Sequence, residues 1–201
     1  VLMIDASKGF VKEGKNNKLR ASDIKKIVDV VTRRESLEKF SRVVSRDEIR
    51  QNDYNLNLPR YVDTSEQAES WDIFASMFGG LPLADIEALN AYWAAFPTLR
   101  NSLFTQGASA YCHFTCDDVK KAIKEHRDIE AFEQNFNEAF RDFDAYLYDE
   151  LITNMERITL SKTEEMLAEN IFQRLAHIPL IDKYEAYQLL DDDWTKIAID
   201  L

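Results

Sequence analysis

The stretch VLMIDAS, residues 1–7, decides how the rest of the chain is interpreted. A run of four apolar residues that ends in Asp-Ala-Ser is typical of a β-strand buried on both faces. Such a strand needs neighbours in a sheet, and the sequence that follows offers few other strand candidates. The stretch therefore predicts that the chain is a fragment whose sheet lies upstream of Val1.

The residues after this strand predict a basic arm, a helix and a short second strand. KGFVKEGKNNKLR, residues 8–20, contains two glycines and five basic residues, which favours a loop or loose hairpin. Ser22 is placed to cap a helix, and Arg33 and Arg34 suit its C-terminal end. FSRVVS, residues 40–45, is a candidate strand, and Ser45 with Glu48 forms a capping box. The helix is expected to bury one apolar face: Ile24, Ile27, Val28 and Val31.

From residue 64 onward nearly every segment has helical periodicity. Phe132, Phe136, Phe140, Phe143 and Leu147 recur at spacings of three or four residues, which predicts one long amphipathic helix. The connections are short, as in an antiparallel bundle or irregular helical domain. The sequence therefore predicts a mainly α chain with a division at residue 63: an N-terminal strand, helix and extended segment, followed by a helical domain over 64–201.

Charge is distributed unevenly along the chain, whose net charge is −11. Residues 1–60 carry 14 Lys and Arg against 9 Asp and Glu, whereas residues 61–201 carry 11 against 27. The basic part could meet a phosphate backbone, which the acidic part should repel, although both could be solvated surface. No apolar run spans a bilayer, no secretory signal is visible, and two cysteines make no disulfide framework. We expect a cytoplasmic protein without membrane contact.

Motifs for catalysis, cofactors and metals are weak in this sequence. Gly79-Gly80 fits a helix stop better than a phosphate cradle, and no histidine belongs to a Glu-x-x-His pair. Cys112, His113, Cys116 and the more distant His126 could in principle bind zinc, but their spacing differs from the usual finger spacings. The sequence therefore predicts no catalytic, cofactor-binding or metal-binding residue, and leaves a metal-dependent enzyme at Cys112 and Cys116 as an alternative.

Two segments remain as candidate contact sites. NDYNLNLPRYVD, residues 52–63, could grip phosphate or read bases, dock a subunit, or serve as a connector. Pro59 predicts an extended segment. Its candidate residues for a joint, or for contact with DNA or a subunit, are Asn52, Tyr54, Asn55, Asn57, Arg60 and Tyr61. The basic arm contributes candidate phosphate contacts, the alternative being a solvated loop: Lys8, Lys12, Lys15, Lys18 and Arg20.

Residues 1–63 closely resemble the C-terminal part of the modification subunit of type I restriction–modification systems. The resemblance rests on IDAS, GKNN, DIKKIVD, FSRVVS and NDYNLNLPRYV, in that order. It continues more loosely through GGLPLADIEALNAYWAAFPTLRNSLF and IPLIDKYEAYQLLDDDW. The resemblance implies that VLMIDAS is the last strand of an upstream α/β methyltransferase sheet, which precedes the C-terminal helical region.

The resemblance also implies an activity and partners for the parent subunit. Subunits of this family methylate adenine N6 in DNA with S-adenosylmethionine, in a complex with a specificity subunit, a second modification subunit and often a restriction subunit. The family's glycine-containing cofactor turn and its Asn-Pro-Pro-aromatic motif, which holds a flipped adenine, are both absent here. The chain alone is therefore expected to bind no cofactor and to be inactive.

We therefore predict that the chain assembles the complex and possesses no chemistry of its own. NDYNLNLPRYVD is favoured as a structural joint between the catalytic domain and the tail, over direct DNA contact. The acidic, aromatic-rich tail is predicted to meet the specificity subunit or the second modification subunit, while DNA is met by the whole complex. The alternative is a stand-alone acidic helical interaction protein that mimics the charge of DNA.

Overall fold

The computed structural model describes residues 1–65, 71–106 and 110–199. Within them lie short strands: β1 (Leu2–Ile4), β2 (Val11–Glu13), β3 (Asn16–Lys18), β4 (Ser41–Val43), β5 (Leu81–Pro82), β6 (Phe104–Gln106) and β7 (Tyr111–Phe114). The α-helices are α1 (Ala21–Arg33), α2 (Arg46–Gln51), α3 (Ile73–Phe78), α4 (Leu83–Ala88), α5 (Asn90–Ala95), α6 (Leu99–Leu103), α7 (Val119–Lys124), α8 (Arg127–Phe140), α9 (Phe143–Tyr148), α10 (Leu160–Leu175) and α11 (Lys183–Ile197). The prediction of a mainly α chain is confirmed.

The described residues form two compact units. Residues 1–65 and 182–199 make up the first unit, and the residues between 71 and 181 make up the second. The sequence groups everything after residue 63 as one helical domain, whereas the structure returns α11 to the first unit. Its packing partner there is α1. Contacts between residues more than 150 positions apart in the chain leave no local pattern from which this return could be predicted.

The first unit has a small core around β1 and β4. These strands pair antiparallel, with Met3 opposite Arg42, which confirms both predicted strands. The segment 8–20 forms the β2–β3 hairpin, also as predicted. Helix α2 begins after Ser45, whose hydroxyl accepts the Glu48 N–H at 3.1 Å, so the predicted cap is confirmed. The buried core residues are Met3, Val44, Ile49, Tyr61 and Val62.

The second unit is helical apart from one small sheet. Strands β5 and β6 flank β7, and both pairings are antiparallel. The sequence does not predict this sheet, because its strands are two to four residues long and lie among helical patterns. A cluster of Phe96, Leu99 and Leu103 and the buried side of α10 supply the core. None of the described helices is long and apolar enough to cross a membrane.

In the second unit, Asp118 caps α7 by accepting the Lys121 N–H at 3.0 Å. One helix prediction requires correction there. The predicted continuous helix over Phe132–Leu147 is interrupted between α8 and α9. At this break Arg174 donates to the Ala139 carbonyl and to Asp142, both at 2.6 Å. Because a charged donor from α10 takes up these acceptors, the tertiary contact outweighs the continuous periodicity.

Candidate functional site

The segment predicted to be extended, residues 52–63, is instead a compact turn. Asp53 and Tyr54 adopt left-handed backbone conformations, with φ of 54° and 57°. Leu58–Arg60 form a 3₁₀ turn with Pro59 as its second residue. Backbone N–H groups in the first turn of a helix have no partner within the helix, so the missing N–H of Pro59 costs no hydrogen bond. The prediction that Pro59 forces Leu58 into an extended conformation is therefore wrong; the extended residue is Asn57.

The candidate residues of this segment make local hydrogen bonds. The Asn52 amide donates to the Glu48 carbonyl at 3.0 Å, and the Asn55 carboxamide oxygen accepts the Asn57 N–H at 2.9 Å. Tyr61 is buried and its hydroxyl donates to the Asn55 carbonyl. These bonds hold the turn together, and the Tyr61 ring belongs to the core cluster around β1 and β4.

Several of these candidates lie at the surface. Tyr54, Asn57 and Arg60 are exposed, and the Tyr54 hydroxyl accepts a long hydrogen bond from Arg50 at 3.4 Å. Asn55 is exposed as well. The segment thus has a buried side, formed by Tyr61 and Val62, and an exposed side that carries one guanidinium. Only the exposed side is available to a partner.

The basic arm is similarly divided by its contacts. Gly14 (φ 63°) turns the β2–β3 hairpin, and Lys8, Lys12, Lys15 and Lys18 are exposed along it. Lys18 forms an exposed ion pair with Glu13 at 3.2 Å, and the Lys12 ammonium lies 5.7 Å from the Phe10 ring centre. Exposed pairs of this kind contribute little to stability, so these lysines remain candidate phosphate contacts.

Arg20 is set apart from the four lysines by its ion pairs. Its guanidinium donates to both carboxylate oxygens of Glu185, at 3.0 and 2.8 Å, and to Asp23 at 3.2 Å. Hydrogen bonds to Asp23 and, to a smaller extent, to Glu185 raise the pKa of Arg20 above its ordinary value. A guanidinium held in a two-oxygen fork is not free to bind phosphate. We therefore leave Arg20 out of the candidate phosphate contacts.

Asp23 should make the stability of the first unit depend on pH. Burial raises the pKa of Asp23, but hydrogen bonds from the Arg20 side chain and backbone outweigh burial and leave the pKa below its ordinary value. A carboxyl whose pKa is lower in the folded state stabilises the fold above the unfolded pKa of about 4, and this contribution disappears as the pH falls through the folded pKa. We expect hydrogen exchange of α1 and α11 amides to show falling stability below about pH 4. The variant Asp23→Asn should show a flatter pH dependence, and an unchanged profile would contradict this assignment.

Helix α1 is oriented opposite to its predicted orientation. Ile24, Val28 and Val31, here called the α1 stripe, are 50%, 53% and 52% exposed. The buried side instead carries Ser22, which was the predicted cap, Asp29 and Val30, while Ile27 of the predicted face is half-buried. The actual N-cap residue is Arg20, whose backbone N–H donates to Asp23 at 2.9 Å.

Polar partners on α11 explain this orientation. The Gln188 carboxamide oxygen accepts the Ser22 N–H at 3.0 Å, and the Tyr184 hydroxyl donates to Asp29 at 3.3 Å. Because these bonds hold the Ser22 and Asp29 side of α1 against α11, Ile24, Val28 and Val31 face solvent. The periodicity predicts that the α1 stripe is apolar and that it belongs to the core of this chain. The second part of this prediction is wrong, because the stripe is an accessible surface.

The cysteine region shows packing without a metal-binding arrangement. Cys112 is buried on β7, and Cys116 packs against the Phe96–Leu103 cluster. Within the described residues no three His, Cys, Asp or Glu side chains are grouped so that they could hold an ion. Gly79 and Gly80 have positive φ values of 80° and 95° and connect α3 to β5. That order, helix before strand, is the reverse of a phosphate-binding turn.

Comparison with known proteins identifies a relationship over the first third of the chain. Residues 1–70 match the family model described as N-6 DNA Methylase. The methylase subunit of type I restriction enzyme MpnII of Mycoplasma pneumoniae is 38% identical over 73 residues, and that of MjaVII of Methanocaldococcus jannaschii is 46% identical over 76 residues. Each match covers 36% of this chain and 13% of the relative.

A solved structure is also similar in sequence. It is the methyltransferase subunit of a type I restriction–modification system from Streptococcus thermophilus, with 47% identity over 32% of this chain and 14% of that one, and a TM-score of 0.31. The family match and the two curated relatives confirm the resemblance to type I modification subunits in the N-terminal region. The looser resemblance of residues 79–104 and 178–194 falls outside the family match and stays a prediction.

Proposed function

With the N-6 DNA methylase match over residues 1–70 as the premise, we propose that this chain is the C-terminal region of a type I modification subunit. In this role its first unit completes a methyltransferase domain, and its second unit contacts other subunits. The observation that carries the proposal is that the matched residues include a helix whose apolar side is uncovered. A domain edge separated from its neighbour has this property.

The α1 stripe gives the proposal a physical basis. Three β-branched side chains, each about half exposed, occupy one face of a helix that already buries its polar side. Each Å² of this apolar surface that a neighbouring domain removes from water would stabilise the assembled subunit by about 25 cal/mol. Strand β1 pairs with β4 alone among the described residues, which leaves its other edge accessible for pairing. An upstream methyltransferase sheet would pair with the free edge of β1, and the same domain would cover the α1 stripe.

We propose that this chain does not itself hold S-adenosylmethionine, the cofactor that the resemblance implies. Two clefts of the first unit, of about 300 and 610 Å³, are bordered mainly by charged and polar side chains. The paired glycines lie between a helix and a strand in that order, so they form no cofactor turn. We therefore propose that the cofactor and the target adenine are bound by the upstream part of the subunit.

Each candidate segment has a defined task under this proposal. The buried side of residues 52–63 acts as the joint, since it folds the chain back onto β1. Lys8, Lys12, Lys15 and Lys18, with the exposed Arg60, supply sequence-independent phosphate contacts within the whole complex. The complex includes a specificity subunit, a second modification subunit and a restriction subunit, and acts in the cytoplasm. The alternative of a stand-alone charge mimic gains no support from the matches to methylase subunits.

A methyl-transfer assay tests this function. The chain alone, incubated with labelled S-adenosylmethionine, specificity subunit and target DNA, should transfer no methyl group. A type I modification subunit whose own C-terminal region is replaced by this chain should methylate adenine in the presence of the specificity subunit. Methyl transfer by the chain alone, or an inactive but folded chimera, would contradict the proposal.

A further inference from the structure

The second unit presents a dense apolar surface on helix α3. Four of its side chains are 70–83% exposed, namely Trp71, Ile73, Met77 and Phe78, and Phe74 is 51% exposed. We name these five residues the α3 patch. Full burial of an aromatic side chain covers roughly 150–250 Å². Since the three aromatic residues are 83%, 51% and 70% exposed, covering them would remove roughly 300–500 Å² from water. That area reaches the largest patches found on ordinary monomers, which are often functional.

The α3 patch is held in place by polar contacts at its base. Asp72 caps the helix by accepting the Ala75 N–H at 2.9 Å, and it also accepts the Tyr111 hydroxyl at 3.0 Å. The Phe74 ring lies 4.9 Å from the Tyr111 ring. Because β7 holds the helix through Asp72 and the buried part of Phe74, the exposed part of Phe74 and the other apolar residues of α3 face outward. Such preorganisation lowers the ordering cost of binding.

Charge around the α3 patch indicates what can cover it. Residues 73–80 carry no charge, but Asp72 directly precedes them, and residues 61–201 contain 27 acidic against 11 basic residues. A second copy of this chain would bring like charges together, which costs free energy. A protein groove with an apolar floor and a rim of Lys or Arg is complementary in both respects.

We propose that the α3 patch inserts into an apolar, basic-rimmed groove on a protein partner. This inference rests on the proposed function, under which the second unit contacts other subunits, and it names the specificity subunit as the partner. The binding mode is that of a short helix laid into a groove, with anchors spaced three to four residues apart. Trp71, Phe74 and Phe78 have this spacing, and aromatic anchors typically dominate binding energy.

The test is titration calorimetry of the full chain against purified specificity subunit at low and at moderate salt. Met77→Asp is matched with Leu189→Asp on α11, because the two side chains are 71% and 70% exposed. We expect Met77→Asp to weaken binding at least tenfold and Leu189→Asp to change it less than twofold. Trp71→Ser, which lies before the helix begins, should also weaken binding tenfold. Wild-type affinity should fall as salt rises.

The possible outcomes separate this inference from the proposed function. Wild-type binding that Met77→Asp and Trp71→Ser leave unchanged overturns the α3 patch as the contact, while the assembly role stands. Absence of wild-type binding overturns both. Sedimentation equilibrium of the free chain completes the test: a dimer that Met77→Asp dissociates would assign the α3 patch to a second copy and overturn the proposed partner.

Discussion

Replacing Val28 by aspartate in an intact modification subunit is expected to reduce methyl transfer at least 100-fold, while the same change leaves this chain folded when it is alone. Val28 is 53% exposed here, so the new carboxylate would remain hydrated in the isolated chain. In the intact subunit the α1 stripe would be covered, and an unpaired charge buried there costs about 3–5 kcal/mol. The measurement pairs hydrogen exchange of the chain with a methyl-transfer assay of the intact subunit.

A control variant with the same introduced side chain separates an effect of the α1 stripe from a general effect of added charge. Leu189→Asp introduces the same charge on α11, outside the α1 stripe, at a side chain that is 70% exposed. We expect it to leave both the isolated chain and the intact subunit within about 0.5 kcal/mol of wild type. The account of α1 would be wrong if Val28→Asp and Leu189→Asp gave equal methyl-transfer rates.

The second large effect is expected at Tyr61, which closes the joint. Tyr61 is 4% exposed, packs with Met3 and Val44, and donates its hydroxyl hydrogen to the Asn55 carbonyl. Truncation of a buried aromatic residue to alanine costs about 3–5 kcal/mol. Tyr61→Ala should therefore speed hydrogen exchange of the β1, β4 and α2 amides by a factor on the order of 100 or more.

Two companion variants separate packing from hydrogen bonding at this position. Tyr61→Phe keeps the ring and removes the hydroxyl, so it should cost about 0.5–1.5 kcal/mol. Tyr54→Ala removes an exposed ring from the same segment and should stay within about 0.5 kcal/mol of wild type. Equal effects of Tyr54→Ala and Tyr61→Ala would show that the segment is a connector and not a joint.

Much of the local structure could be predicted from the sequence because it depends on nearest neighbours. Ser45 caps α2 through Glu48, three residues away, and the glycine-containing arm forms a hairpin. These elements follow from turn and capping chemistry that acts within a few residues.

What could not be predicted depends on contacts between distant residues. The apolar periodicity of α1 was correct, but the direction it faces is set by Gln188 and Tyr184, more than 150 residues later in the chain. The break between α8 and α9 depends similarly on Arg174, over 30 residues away. The turn at Asp53 and Tyr54 requires left-handed conformations that the proline pattern around Pro59 gave no reason to expect.

The most direct test of the assembly role is gel filtration of this chain with and without the specificity subunit. The account predicts that the two proteins co-elute in one earlier peak and that this peak weakens with rising salt. Separate elution of the two proteins, with the chain still helical by circular dichroism, would contradict the account and place the docking surface elsewhere in the subunit.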